Sequence, residues 1–293
     1  MITRRKCSLC QKEGRFKIKY ELPKFNIVQC ANCCLLARDV IYSRKEIEDL
    51  YSKDYFCELQ KDYFSAGISQ DFKTSLRVKD FTQRLKKIIR YSKIKKGKIL
   101  DVGCGTGVFL KIAKETGWET TGVEVSKFAA DIARKKFGLD VLCEELEEAN
   151  FAKNSFDVIT GWDSIEHVEH PKDLVVEIRR ILRRKGFVAF QTTMVDSLLF
   201  LIAHITYKFS FGRLSKLVEM AYPIHHSNHF SRKTLKMLLA KNGFKVVKSM
   251  NAEMFYEETS LPKISLPLLK LLGLVSKGFN RTIEVFILAK KIA

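Results

Sequence analysis

The chain has 293 residues, 46% of them hydrophobic and 11% aromatic, enough apolar material for a folded core and too much for a disordered chain. Lysine and arginine outnumber aspartate and glutamate by 52 to 33, a formal charge of +19 that invites phosphate-bearing partners or an anionic surface. No apolar run reaches the roughly 20 residues of a membrane span and no secretory signal opens the sequence, so a soluble cytoplasmic protein is expected.

The predicted elements begin with a cysteine pattern. All eight cysteines lie at or before Cys143. The pairs "CSLC" (Cys7, Cys10) and "CANC" (Cys30, Cys33) offer four thiolates at the spacing tetrahedral zinc prefers, and "RFKIKYEL" and "FNIVQC" between them read as a hairpin. Clustered cysteines in a reducing compartment point to a structural Zn2+ rather than disulfides, with Cys34 as a poorer substitute ligand. This knuckle spans 1–42. A helical connector is expected over 43–95, first a short helix capped by Ser43 with Ile47, Leu50 and Tyr51 on its apolar side. A longer helix is expected from Phe72 to Tyr91, carrying Leu76, Val78, Phe81, Leu85, Ile88 and Ile89. The basic run Arg84 to Lys98 reads as a solvated helix face and has too few aromatics for single-strand binding.

From residue 96 the pattern becomes strand–helix alternation. Ile99, Leu100 and Val102 form a buried strand, and Gly103, Cys104, Gly105, Thr106 and Gly107 a tight loop before a helix. Such a loop brings backbone N–H groups close to a ligand. It is neither a P-loop nor G-x-G-x-x-G, and the next strand ends at Glu124, which can accept hydrogen bonds from ribose hydroxyls. The helix "SKFAADIARKKF" and the strands "LDVLC" and "FDVITGW" follow. Next come the helix "PKDLVVEIRRILRRKG", the strand "FVAFQTT", the helix "SRKTLKMLLAKNG" and the strands "FKVVKSM" and "IEVFILAKK". The expected fold is α/β, a doubly wound, mainly parallel seven-stranded sheet of Rossmann-like type, its last strand antiparallel beside its predecessor.

The stretches "LDVGCGTGVFL", "GVEVSKFAADIARKKFG", "NSFDVITGWDSIEHVEHP" and "RRILRRKGFVAFQTT" resemble the successive motifs of class I S-adenosylmethionine-dependent methyltransferases. The likeness is to the broad methyltransferase 23/11 group, and the cysteine-rich start resembles the zinc-ribbon extension of some members. The resemblance implies S-adenosylmethionine as cofactor. It implies that Asp101, Gly103, Gly105 and Gly107 surround its methionine and ribose, that Glu124 takes the ribose diol and that Val125 flanks the adenine. It places Glu145 and Leu146 near the adenine edge, and Trp162 and Asp163 beside the reacting methyl group.

Methyl transfer is an in-line displacement in which the protein aligns the partners and, where needed, removes a proton. Trp162-Asp163-Ser164-Ile165 stands where base- and glutamine-modifying relatives carry Asn/Asp-Pro-Pro-Tyr/Phe, and no cysteine follows Cys143 to serve as a pyrimidine nucleophile. A hydroxyl or an acidic carbon is left as acceptor, and either needs a base. All six histidines lie at or beyond His167. In "GWDSIEHVEHP" three readings stand side by side. Asp163, Glu166 and His167 could hold Mg2+ or Mn2+, as in quinone-biosynthesis O-methyltransferases that the pattern resembles; His167 could be a general base; or the pair Glu166-His167 stiffens a turn before a helix begun at Pro171. His225 and His226 in "YPIHHSNHF" are the other base candidates, unless they serve the entry of the following helix. An insertion at about 194–223 reads as a substrate lid, its apolar "LLFLIAHITYKF" a lid helix or a surface for a lipid-linked acceptor. "SLPLLKLLGLVSKGFNR" could lie on an anionic membrane or a dimer interface. The expected activity is O-methylation, or C-methylation, of a small-molecule or glycan acceptor. The rivals are ribose O-methylation of RNA, a quinone or lipid-linked acceptor, and a cofactor-binding scaffold.

Overall fold

A computed structural model describes residues 2–3, 6–59, 64, 72, 75–252 and 266–292. The first strands are β1 (Ile2–Thr3), β2 (Phe16–Glu21), β3 (Asn26–Cys30), β4 (Leu36–Arg38) and β5 (Val40–Ile41). β2, β3 and β4 form an antiparallel meander, the hairpin expected from the sequence plus one strand. The cysteine pairs sit in two turns of the same design. Gln11 and Cys34, each following the second cysteine of a pair, take φ of 60° and 63°. Their N–H groups donate to Cys7 O and Cys30 O, both at 2.9 Å.

Next come α1 (Arg44–Leu50), closed by a capping box between Ser43 and Glu46, and a π-helical turn (Tyr55–Leu59). α2 (Leu76–Ser92) begins behind the Ser75 cap rather than at Phe72. Part of the expected connector lies outside the described residues. Arg84 does not face solvent, as the basic run suggested: it is 1% exposed and held by Asp80 one helical turn away, at 2.5 Å.

The main sheet is built from β6 (Lys98–Val102), β7 (Glu119–Val123), β8 (Asp140–Leu142), β9 (Phe156–Trp162) and β10 (Leu182–Thr193), completed by β12 (Phe244–Ala252) and β13 (Glu284–Lys291). Its order is β12-β13-β10-β9-β6-β7-β8, parallel from β10 to β8. β13 runs antiparallel between β10 and β12, beside its predecessor as the sequence implied. The crossovers are α3 (Val108–Glu115), α4 (Lys127–Phe137), α5 (Pro171–Ile181) and α8 (Arg232–Lys241), with α6 (Leu198–Phe209) and α7 (Lys216–Ala221) in the insertion and α9 (Leu266–Gly278) before the last strand. α5 ends at Ile181, five residues short of the expected Gly186: the chain turns extended at Leu182 and enters β10 through a register shift between Leu182 and Phe187.

Two apolar layers cover the sheet. One joins Leu100, Ile159 and Ile287 to Ile178 and Leu238, the other Phe109, Ala133 and Val158 to Phe81 and Leu85. A two-residue strand, β11 (Asn228–His229), was not anticipated. It leaves the main domain and pairs with β4, making the ribbon a four-stranded sheet. The insertion packs on that ribbon, where Phe200, Ala203, Val218 and Tyr222 share a core with Tyr20, Phe25, Ile27 and Leu36. Ribbon and insertion are thus tied by both hydrogen bonds and apolar burial, and β11 carries the histidine segment between them.

Candidate active site at the strand ends

The carboxyl ends of the parallel strands gather the residues singled out in the sequence. Gly103, Gly105 and Gly107 all adopt positive φ (69°, 53° and 81°). At Gly105 a side chain would be blocked as well as strained, because an added Cβ would lie 2.9 Å from the Phe64 ring. Glu124, at the tip of β7, is buried and accepts from the N–H of Gly105 (2.8 Å) and of Ser126 (2.9 Å). These bonds fix its carboxylate beside the glycine loop, each oxygen accepting one of them. Asp101, 1% exposed, receives one hydrogen bond at 2.6 Å from the Thr160 hydroxyl. Burial pushes its pKa up to about 8.

More carboxylates surround this point. Asp163 ends β9 in the left-handed region (φ 49°), which aspartate tolerates, and its N–H donates to Gln191 O at 2.9 Å. Its carboxylate lies 3.6 Å from Arg84 Nη1. Burial, then the charge of Asp163, pushes Glu166 and Glu284 each up to about 8. A chain of formal charge +19 therefore gathers carboxyl groups at its strand ends, and burial holds several of them in the protonated form near neutral pH. Trp162 is buried in the aromatic layer, its ring 5.1 Å from Phe109 and under the Arg84 guanidinium at 5.2 Å. In the turn after β8, Leu146 is buried in the core and Glu145 is exposed, while Cys143 Sγ lies 3.8 Å from Val125 O.

Glu166 and His167 part company. Glu166 turns into the acidic interior, whereas His167 faces the histidine segment, its ring stacked at 5.3 Å on His225 and edge-on at 4.7 Å to His226. Among the described residues, metal-competent donor sets converge at Cys7, Cys10, Cys30 and Cys33 and at His167, His225 and His226. Asp163, Glu166 and His167 do not, so Mg2+ at that trio has no geometric support: consecutive side chains on this turn diverge to opposite sides. His225 and His226 lie in a turn before β11 rather than at a helix entry, since Ser231 caps α8. His170 precedes α5, whose first residue is Pro171.

The loop bearing His167 is held from the ribbon. Arg38 is fully buried in an ion pair with Glu169. It also donates to Ile224 O (2.6 Å) and to the Ser227 hydroxyl (2.9 Å), which in turn donates to His167 O (3.1 Å). Asn228 Nδ2 donates to Val168 O at 2.6 Å, and its Oδ1 accepts from Ser8 in the first cysteine turn. From the connector, the Tyr51 hydroxyl lies 2.6 Å from His167 Nδ1, and Tyr51 O accepts from Ser126 Oγ at 2.9 Å. A bonded path therefore runs from the imidazoles through Tyr51 and Ser126 to Glu124 and the glycine loop. Arg38 carries no spacing signal of its own, and Tyr51 reads in the sequence only as an apolar-face residue of a short helix, because both stand on elements far from the two motifs. Burial lowers the pKa of His167 to about 4 and, together with the neighbouring His167, that of His225 to about 3; His226 is lowered for the same reasons. All three rings are neutral at pH 7, able to accept a proton, and weak as bases.

The four cysteine sulfurs lie within 4.8 Å of one another, with Cys7–Cys33 at 3.5 Å and Cys10–Cys30 at 3.8 Å. A tetrahedral ion with bonds of about 2.3 Å sets its sulfurs ~3.8 Å apart, so the donor set fits Zn2+ and is compatible with a zinc ribbon. Cys34 is exposed and stands outside the set.

A family model described as "Methyltransferase domain" matches residues 73–249. The chain belongs to the class I S-adenosylmethionine-dependent methyltransferases. This methyltransferase is 30% identical over 139 residues to a ubiquinone biosynthesis O-methyltransferase of Nitrosococcus oceani, a match covering 45% of the chain and 59% of the relative. It is 33% identical over 102 residues to the mitochondrial ubiquinone biosynthesis O-methyltransferase of Schizosaccharomyces pombe, covering 32% of the chain and 37% of the relative. The chain thus spans no more than about three fifths of these curated relatives. Among solved structures, a methyltransferase of Thermotoga maritima described as a possible histamine N-methyltransferase shares the fold. It matches with a TM-score of 0.53 at 22% identity, over 84% of this chain and 99% of that one. Among the described residues no helix is long and apolar enough to cross a membrane.

Proposed function

We propose that this methyltransferase methylates a hydroxyl oxygen of a small-molecule or glycan acceptor bound between the glycine loop and the histidine cluster. The observation that carries the reading is the approach of three imidazoles to the cofactor loop, bridged by Tyr51. When bound, S-adenosylmethionine supplies an electrophilic methyl group on a cationic sulfur. Asp101, Gly103, Gly105, Gly107, Glu124 and Val125 would hold it, with the turn of Glu145 and Leu146 at the adenine end and Trp162 as a packed wall. The buried carboxylates Asp101, Glu124 and Asp163 favour its positive charge. The acceptor O–H gives its proton to an imidazole, with His167 oriented by Tyr51. The oxygen so freed would be held in line with the methyl group that the cofactor supplies. In the ribbon, Cys7, Cys10, Cys30 and Cys33 would hold Zn2+ in a structural role.

The scarcity of aromatics in the basic runs, and the absence of Asn/Asp-Pro-Pro-Tyr/Phe after β9, disfavour RNA. A lipid-linked or quinone acceptor is favoured by the insertion, where Ile205, Phe209 and Phe211 are 45%, 79% and 92% exposed, and by the names of the curated relatives. Incubation with methyl-labelled cofactor and fractionated extract separates the acceptor classes. Label in the glycan, small-molecule or lipid fraction is expected; label confined to RNA would overturn the reading. His167→Ala should lower turnover at least a hundredfold with S-adenosylhomocysteine affinity unchanged.

A further inference from the structure

The histidine cluster has a geometry that a proton-transfer role alone does not explain. None of the three imidazoles hydrogen-bonds another, although their rings stand 4.7 to 5.3 Å apart. A relay would join them by N–H···N bonds. Instead, one ring nitrogen from each can be chosen so that all three lie within 4.8 Å of one another. The outer partners are arranged to free such nitrogens. His167 Nδ1 lies 2.6 Å from the Tyr51 hydroxyl and 3.1 Å from His225 O, so both groups orient the ring through one nitrogen. A ligating histidine that donates its second N–H to a backbone carbonyl is the usual way its tautomer is fixed. Meanwhile His226 Nδ1 is buried with no hydrogen-bond partner, a desolvated polar atom left unpaired unless something fills the space beside it.

We propose that His167, His225 and His226 form a second metal site, for a divalent transition ion of the imidazole-binding kind, whose open positions take two adjacent oxygens of the acceptor. Three imidazoles suit Zn2+, Fe2+ or Co2+ rather than Mg2+, and three protein ligands leave coordination positions for a substrate. Bonds of about 2.1 Å set the nitrogens roughly 3.4 Å apart, so the three donors would draw together around the ion. An ion there acidifies the hydroxyl it binds, so that the proton passes to water in place of an imidazole, and it selects acceptors with a vicinal diol or hydroxy-carbonyl unit. This inference rests on the transferase reading and names its substrate class.

The test uses the full chain with its cysteine site filled by Zn2+, titrated with Co2+. One further equivalent should bind, giving ligand-field absorption without sulfur charge-transfer bands. Acetohydroxamate, a bidentate oxygen ligand, should then shift that spectrum. His226→Ala and His226→Gln should each lose the second equivalent while keeping the melting temperature and S-adenosylhomocysteine affinity of the parent. No second equivalent, uptake indifferent to both substitutions, or a spectrum blind to acetohydroxamate would each overturn the site. S-adenosylhomocysteine binding by the unsubstituted protein reports on the transferase reading by itself, so the two can fail separately.

Discussion

The cysteine cluster and the histidine cluster stand at opposite ends of one hydrogen-bonded frame and are built on opposite principles. The four thiols come from two local turns, each closed by its own N–H···O bond, and they present a full tetrahedral set. Of the three imidazoles, all half-buried, His225 and His226 share one turn, but His167 comes from a loop 58 residues before His225. They are positioned by Arg38, Ser227, Asn228 and Tyr51. A site that supplies all its donors locally can be structural; one assembled from distant loops depends on its supports. The ribbon is therefore a brace for the loop that bears His167 as well as an appendage.

Breaking the brace at its root has the largest expected effect. Cys7→Ser, or removal of the ion by chelator, forfeits binding free energy on the order of 10 kcal/mol in isolated ribbons. The ribbon should unfold and methyl transfer should fall with it, because β4 carries β11 and Arg38 carries the Glu169 loop. Metal analysis with amide exchange of residues 225–229 checks this. Unchanged protection there after metal loss would separate the ribbon from the site. Arg38→Ala comes next. It leaves Glu169 buried without its cation, a loss of about 3–5 kcal/mol in a denaturant melt. Tyr51→Phe is milder: the ring contacts stay and only the bond to His167 goes, so kcat should drop about tenfold at constant cofactor affinity.

These contrasts also explain what could be read from the sequence. Cys7, Cys10, Cys30 and Cys33 were legible because a C-x2-C turn is local, and the strand–loop–acid pattern from Ile99 to Glu124 because successive strands of a parallel sheet keep chain order. The halves of the histidine cluster were not. His167 and His225 were named separately, yet nothing in their spacing tells that they stack. Asp163, Glu166 and His167 have helical i, i+3, i+4 spacing, but Asp163 takes a left-handed turn that sends Glu166 inward and His167 outward. Arg84 sat in a lysine-rich run whose composition concealed that one member is buried against Asp80.

The smallest effect is the most specific to the cofactor end. Asp101 has a pKa of about 8 when folded, against about 4 for an exposed aspartate, so near neutral pH the folded protein holds a proton that the unfolded chain has released. A group raised in this way contributes stability in full below about pH 4, and that contribution is lost as pH rises through its folded value near 8. Stability of the ligand-free protein should therefore decline across this window, less steeply in Asp101→Asn. A cationic ligand beside the carboxyl favours the ionised form and reverses the preference. Binding of S-adenosylmethionine at pH 7 should accordingly release up to about one proton, measurable as a dependence of the calorimetric enthalpy on the buffer's ionisation heat. Asp101→Asn should remove that dependence while changing affinity modestly. The neutral imidazoles of the acceptor side should show no comparable release with this ligand, which is the sharpest way to tell the two ends of the site apart.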